Sequence, residues 1–451
     1  MNARHPDAHP LTANQEWEWD FDHSIGSAPY HRPVLLRLKG PLRPLALRDA
    51  VAAAVRRHHS LRTRYPLVDG RRMQVVDAPE SRPLPLVDLS RLPADEQEEA
   101  LLRIGRDDAA TPFDMAGGTT VRWALARLAH DHHALLVSPH HVAVDLWSMS
   151  VLAADIAAHY GHAAAGEPPP AGPGPLQPTQ WAHAERERWT PERLHAALAP
   201  WRDGLARLPA LDLPADHPPA PSRLPECWLL STRLDTALSD GVRALSRRHG
   251  VTVFVALLAA FHCMLARACD VDRLVTYSLT ARRHSRAMED AVGLYADYMR
   301  IFADLTGDPP FTQVLARTMD RILDGQDTQR LPNEWLLRAT DDGTRPHPLE
   351  RVGFNMHNTP AIAFPLSDGV RAEAIDYDGH DGSAGLATTY WRAHLFFDTF
   401  DFGAGPIAME VLTAKELYAS TAPADWARRF AAVLARVVED DQVPLSRLPG
   451  R

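Results

Sequence analysis

The stretch His140-His141-Val142-Ala143-Val144-Asp145-Leu146-Trp147-Ser148 sets two adjacent histidines before an aspartate that follows the second by four residues. An imidazole, with an ordinary pKa of about 6.5, takes up and releases a proton near neutral pH. One held at the edge of a rigid scaffold can serve as the general base of an acyl transfer. Asp145 then reads as an anchor that holds backbone or pairs with a buried arginine. Ser148 and Trp147 are candidate donors to a developing oxyanion. Ser148 equally suits a helix cap, and Trp147 suits packing. Ser138 has no third partner in the sequence, so a Ser-His-Asp hydrolase finds little support. Taken alone, the histidine pair also fits ordinary polar residues at a strand end.

The elements around this stretch predict a strand-to-helix turn. Residues 134–138 form an apolar run of strand length, and 148–156 open on a hydroxyl and space their apolar residues helically. Upstream, Leu47, Ala50, Val51, Ala54 and Val55 follow the i, i+3, i+4, i+7 pattern of an amphipathic helix, leading into an expected strand at 61–65. Proline and glycine crowd residues 166–178, a linker composition that places a domain boundary there, with domains 1–170 and 171–451. The second half repeats the texture. Helices are expected over 238–247, 253–268, 311–323 and 426–438, a strand over 272–279, and paired strands 394–402 and 407–412 about Gly403-Ala404-Gly405-Pro406. The fold class is α/β.

A chain of 451 residues is long enough for two domains. Its 45% hydrophobic and 23% charged content is that of a globular protein. With Lys+Arg 48 against Asp+Glu 57 and a net charge of -9, a nucleic-acid surface is not expected. The arginine groups Arg56-Arg57 and Arg282, Arg283 and Arg286 are local, a solvated face or a grip on an anion. Three cysteines without CxxC spacing support neither a disulfide framework nor a zinc ribbon, and a reducing cytoplasm is the expected setting. Residues 1–10 lack the apolar core of a secretory signal. Residues 251–266 are apolar but contain His262 and fall short of the ~20 residues that cross a bilayer, so they read as a buried helix. His130, His132, His133, His140 and His141 cluster in sequence, but strand alternation would divide them between faces and no HExxH occurs, so no metal site is expected.

Several stretches, in order, resemble the condensation domains of nonribosomal peptide synthetases. His140-His141 with Asp145 and Ser148 is similar to that family's HHxxxD signature. Leu11-Thr12-Ala13-Asn14-Gln15 with Trp19 resembles its opening motif, and Arg57-His58-His59-Ser60-Leu61-Arg62-Thr63-Arg64-Tyr65 its RHxxLRTxF motif. Residues 253–266, Ala281-Arg282 and Val292-Gly293-Leu294-Tyr295-Ala296-Asp297 resemble its later helix, GR and VGxFVN motifs, followed by Gly307-Asp308-Pro309-Pro310-Phe311. The likeness runs from about Leu11 to Leu448.

The resemblance implies a pseudo-dimer of two chloramphenicol-acetyltransferase-like lobes in a V, with the active site in a tunnel between them. The first lobe, 1–170, would carry the histidine motif, and the second, 171–451, the tunnel floor and latch. It implies a transfer of an acyl group from a carrier-protein phosphopantetheine thioester to an amine or hydroxyl, making an amide or an ester. No intrinsic cofactor, metal, nucleic acid or membrane is implied. The acyl or peptidyl carrier protein is the partner, and the acceptor is a small molecule or a second carrier-bound group. His141 would be catalytic, His140 its packed neighbour and Asp145 an ion-pair residue, with Arg282 the expected partner of Asp145 and Arg62 the competitor. The chain departs from the family at Leu146, where glycine is usual, and at Asp297, where asparagine is usual; both bear on substrate more than on reaction type. Because no adenylation or carrier segment follows within 451 residues, a free-standing enzyme is expected. Two alternatives are an acyl-CoA-dependent HxxxD acyltransferase, whose DFGWG motif Asp401-Phe402-Gly403-Ala404-Gly405 superficially resembles, and a non-catalytic domain that recruits partners.

Overall fold

The computed structural model describes all residues except 1–6, 26–32, 80–83, 169–173, 206–207, 210, 219–225, 329–330, 342, 344–346, 359–365, 367–368, 376–385 and 451. The chain is mixed α/β and groups into two compact units. One comprises 1–190, 281–296 and 360–381, the other 191–280, 297–359 and 382–451. A single cut at 170/171 does not reproduce them, for physical reasons that are local. Helix Pro178–Arg188 begins at Gln177, whose side chain bonds the backbone of Arg57 and His59, so the chain past the linker stays with the first unit. Strand Arg371–Ala374 returns to pair antiparallel with Val34–Lys39. Within the linker, Gly166 closes the preceding helix with a left-handed φ of 72°, and 169–173 lie outside the described residues.

In the first unit a five-stranded sheet runs in the order Arg371–Ala374, Val34–Lys39, His132–Pro139, Val121–Ala129, Leu86–Asp88. The expected strand at 134–138 is therefore central, and its alternate side chains enter two cores, Leu135 and Val137 on one face and Ala134 and Leu136 on the other, which explains its unbroken apolar run. Helices Pro44–Arg57 and Leu146–Ala165 pack together against it through Leu47, Ala50, Val51, Ala54, Leu152 and Ile156. The strand expected at 61–65 is instead a 3-10 turn, His59–Arg62, and a two-residue strand, Thr63–Arg64. The Thr63 hydroxyl donates back to the carbonyl of His59 at 2.7 Å and closes the turn before extension can begin.

The second unit has a mixed seven-stranded sheet in the order Asp297–Asp304, Arg273–Thr280, Val352–His357, Leu395–Phe400, Ala408–Ala414, Glu226–Arg233, Leu386–Tyr390. Gly353 is required where it stands, because a Cβ there would come within 2.5 Å of the rings of Tyr277 and Phe396. The expected hairpin about 403–406 is present, with positive φ at Gly403 and Gly405. Helices Thr236–His249, Val253–Cys269, Phe311–Thr328 and Ala422–Glu439 match the periodic segments. Helix Val253–Cys269 is buried nearly all round, and His262 within it bonds the Thr276 hydroxyl at 2.9 Å while burial pushes its pKa down to about 3. Among the described residues no single helix is long and apolar enough to cross a membrane, although Thr236–His249 and Val253–Cys269 pass that test jointly as a pair bent by 106°.

Candidate active site

The central strand ends at Pro139, which has no N–H to extend the ladder, and the chain enters a 3-10 turn at His141–Ala143. His140 caps this turn. Its backbone N–H donates to Thr120 O at 2.8 Å, and its Nδ1 accepts from Val142 N at 3.1 Å. The ring is buried and meets Phe113 edge-on at 5.5 Å. His141 is half-buried, with Nδ1 2.9 Å from the carbonyl oxygen of Val144. A carbonyl only accepts, so Nδ1 carries the hydrogen and Nε2 holds the lone pair of the neutral ring. That tautomer suits a base acting through Nε2.

Asp145 fixes the other end of the turn. Its Oδ1 accepts from the backbone N–H of Ser148 at 2.8 Å, capping helix Leu146–Ala165, and from the Ser148 hydroxyl at 2.6 Å. Its Oδ2 accepts the backbone N–H groups of Tyr295 and Ala296, both at 3.0 Å. Arg283 Nη2 reaches the two oxygens at 2.7 and 2.9 Å, with both side chains 2% exposed. Arg283 Nη1 donates to the carbonyls of Met288 and Ala291, and the guanidinium lies 4.4 Å over the ring of Tyr295. A buried carboxylate met by this many donors is a structural clamp. It ties the histidine turn to segment 281–296 of the same unit.

The other expected site residues fall as follows. Arg282 is not the partner of Asp145: with a left-handed φ of 49° it turns to Glu185, 3.7 Å away in a pair of buried side chains. The competitor Arg62 donates to the backbone carbonyl of Asp77. Ser148 is fully buried, its hydroxyl set among Asp145, Gly293 and Arg283, so it has no opening to an oxyanion; nor is it the helix cap, since Asp145 caps the helix and Ser148 lies inside its first turn. Trp147 is 43% exposed, and its indole N–H goes to the carbonyl of Glu289 at 2.9 Å. Leu146 starts the helix with no left-handed φ, so glycine's conformational freedom is not needed there, and half its surface is open. Asp297 lies in the second unit, where it accepts from the backbone of Tyr298 and, at 3.3 Å, from that of Asn333. Asp401, of the DFGWG-like pentapeptide, pairs with Arg243 at 2.7 Å and closes the hairpin through Gly403 N. Among the described residues no group of three or more metal-ligating side chains occurs.

Two residues beside the histidine turn were missed in the sequence. Arg283 is one. The other is Glu18, 1% exposed on helix Ala13–Ile25, which packs against the 3-10 turn. Burial pulls the pKa of His141 down, but the Glu18 carboxylate foremost, then the local backbone and Asp145, outweigh it and hold the ring above its ordinary value. The sequence signal for Glu18 was an acid set between two tryptophans, Trp17 and Trp19. For Arg283 the signal was only its place in an arginine doublet, which does not say which member points inward.

The sequence matches the family model of the condensation domain over residues 6–449, and the chain belongs to that family. Among relatives it is 32% identical to one of the linear gramicidin synthase proteins of Brevibacillus parabrevis over 77% of its length, and 33% identical to chondramide synthase cmdD of Chondromyces crocatus over 78%. It is 32% identical to the isonitrile lipopeptide synthase of Mycobacterium tuberculosis (strain ATCC 25618 / H37Rv) over 81%. The chain spans 5, 9 and 15% of those proteins respectively. Among solved structures, the X-domain from teicoplanin biosynthesis superposes with a TM-score of 0.79 at 25% identity, covering 99% of this chain and 98% of that one. The SgcC5 protein from Streptomyces globisporus gives 0.76 at 22%, covering 96% of this chain and 100% of that one. The first condensation domain of the calcium-dependent antibiotic synthetase, in complex with a substrate analogue, gives 0.73 at 17%, covering 98% and 99%. The last two likenesses concern the fold.

Proposed function

We propose that this condensation domain transfers an acyl group from the phosphopantetheine thioester of a carrier protein to an amine or hydroxyl acceptor, with His141 as general base. The observation that carries this reading is the 2.9 Å contact of His141 Nδ1 with Val144 O: a carbonyl only accepts, which assigns the hydrogen to Nδ1 and the lone pair of the neutral ring to Nε2. The acceptor's nitrogen or oxygen attacks the thioester carbon as Nε2 takes its proton. The tetrahedral intermediate then collapses, the C–S bond breaks, and the imidazolium returns the proton to the departing thiolate. The thioester is already activated, so the exchange draws on no nucleotide. His140 packs the turn, and Asp145 with Arg283 holds its geometry without exchanging a proton. General-base assistance is worth about 10² to 10⁴ in rate, with positioning adding to it.

A hydroxyl acceptor needs more help with its proton than a neutral amine, so ester formation leans harder on His141 than amide formation does. The test offers acyl-loaded carrier protein, or the same acyl group on coenzyme A, to a panel of amines and alcohols and weighs the products by mass spectrometry. Transfer from the carrier at much the higher kcat/KM supports the proposal. Equal use of coenzyme A thioesters would move the chain to the acyl-CoA-dependent reading.

A second reading has one observation in its favour. The X-domain whose fold matches over nearly the whole chain is also described in a complex with OxyB. A recruitment role for this chain would show as tight binding of a partner protein with no acyl transfer to any acceptor in the panel.

A further inference from the structure

We infer that Glu18 is a positioning residue for His141, a buried carboxylate that orients the imidazole and stabilises the imidazolium formed when Nε2 takes the acceptor's proton. The inference rests on the acyl-transfer reading for its catalytic half only. Its structural half begins with helix Ala13–Ile25, which packs against the 3-10 turn His141–Ala143. On that helix Gln15 and Glu18 are three residues apart and share a face. Gln15 donates to the Tyr65 hydroxyl at 3.2 Å, and that hydroxyl reaches the carbonyl of Val142, next to His141 in the chain. The face of the helix that carries Glu18 is therefore bonded to the histidine turn through a buried relay. Gln15 and Tyr65 are fully buried and Glu18 nearly so, while the next acid on the helix, Asp20, is exposed.

A carboxylate is rarely buried to this extent unless a positive or hydrogen-bonding group repays its desolvation. Glu18 also exerts the leading upward influence on the titration of His141, ahead of Asp145, whose oxygens are taken up by Arg283, Ser148 and the amides of Tyr295 and Ala296. The division of labour is then clear. Asp145 builds the turn, whereas Glu18 faces the charge that appears on the ring as the acceptor loses its proton. A stabilised imidazolium makes Nε2 a stronger base, and the effect is largest in a site shielded from water.

The test uses the full chain with histidine ring nitrogens labelled, so that NMR follows His141 through its titration in wild type, Glu18→Gln, Glu18→Asp and Asp20→Asn. Melting curves check that each variant folds. Glu18→Gln is expected to lower the His141 midpoint by about one pH unit or more, with the acidic limb of kcat/KM following and kcat on the plateau falling about tenfold or more. Glu18→Asp, which keeps the charge on a shorter arm, should recover much of the midpoint, and Asp20→Asn should change neither quantity. A His141 midpoint that stays put in folded Glu18→Gln, or in Glu18→Asp and Glu18→Gln alike, overturns the inference. If wild type transfers no acyl group but the midpoint still moves, the coupling of Glu18 to His141 stands and the acyl-transfer reading is what falls.

Discussion

Arg283 brings one nitrogen, Nη2, to both oxygens of Asp145 at 2.7 and 2.9 Å, while Arg282 beside it turns to Glu185. Adjacent side chains of an irregular segment point apart, so two identical residues carry separate duties. Asp145 in turn caps helix Leu146–Ala165, and the carbonyl of Val144 just before it fixes the tautomer of His141. The geometry of the His141 turn thus depends on an ion pair that His141 itself does not enter.

Removing one partner of that pair leaves a charge buried and unanswered, which typically costs about 3–5 kcal/mol. Arg283→Ala is expected to lower unfolding free energy by that order in a denaturant titration. Arg283→Lys should recover only part of it, because a lysine cannot reproduce the planar fork that also reaches Met288 and Ala291.

Ser148→Ala separates a structural hydroxyl from an oxyanion donor. Loss of a buried hydroxyl that answers Asp145 and the Gly293 backbone should cost about 1–3 kcal/mol of stability. In protein that remains folded, kcat should stay within a few fold of wild type. Loss of a true oxyanion donor would instead cut kcat by about 10² to 10³, and kinetics on thermally intact variant would detect it.

The pH dependence follows from the direction of the His141 shift. Burial lowers its pKa but Glu18, the backbone and Asp145 prevail, so the folded value lies above 6.5. A base works when neutral, so kcat/KM should fall as pH drops through that raised value, and the acidic limb should sit above pH 6.5. The sign for stability is the reverse. Protonated His141 favours the folded state below its unfolded pKa of about 6.5, and that advantage fades as pH rises through the folded value. Comparing wild type with His141→Gln by thermal melting from pH 5 to pH 9 should show the difference narrowing upward.

Much of this was legible in the sequence because the governing physics is local. The buried strand under His140, the helix after Asp145, and the helices of the second unit announce themselves through apolar spacing. The hairpin about Gly403 and Gly405 does so through turn chemistry. The expected strand at 61–65 is cut to Thr63–Arg64 for a reason propensity does not carry, namely a threonine hydroxyl bonding four residues back. The choice between Arg282 and Arg283, and the burial of Glu18 on the helix that packs against the histidine turn, depend on which way a side chain leaves a backbone positioned by distant contacts. The interleaving of the two units was hidden likewise, since the pairing of Arg371–Ala374 with Val34–Lys39 spans more than three hundred residues.

The two departures from the family pattern predict small effects. Leu146 is a half-exposed first residue of a helix without unusual φ, so Leu146→Gly should cost about 1 kcal/mol or less through helix propensity. Asp297→Asn keeps an acceptor for the Asn333 amide and should shift the melting temperature by only a few degrees, which differential scanning calorimetry would register.

The proposed work of His141 Nε2 is tested most directly in a single turnover. Carrier protein loaded with one acyl group is mixed with excess alcohol acceptor and either wild type or His141→Ala, and the loss of acyl mass from the carrier is followed in time. The expected result is a rate about 10² to 10⁴ lower for His141→Ala, with carrier binding retained. Equal rates of unloading and of ester formation by the two proteins would contradict the account.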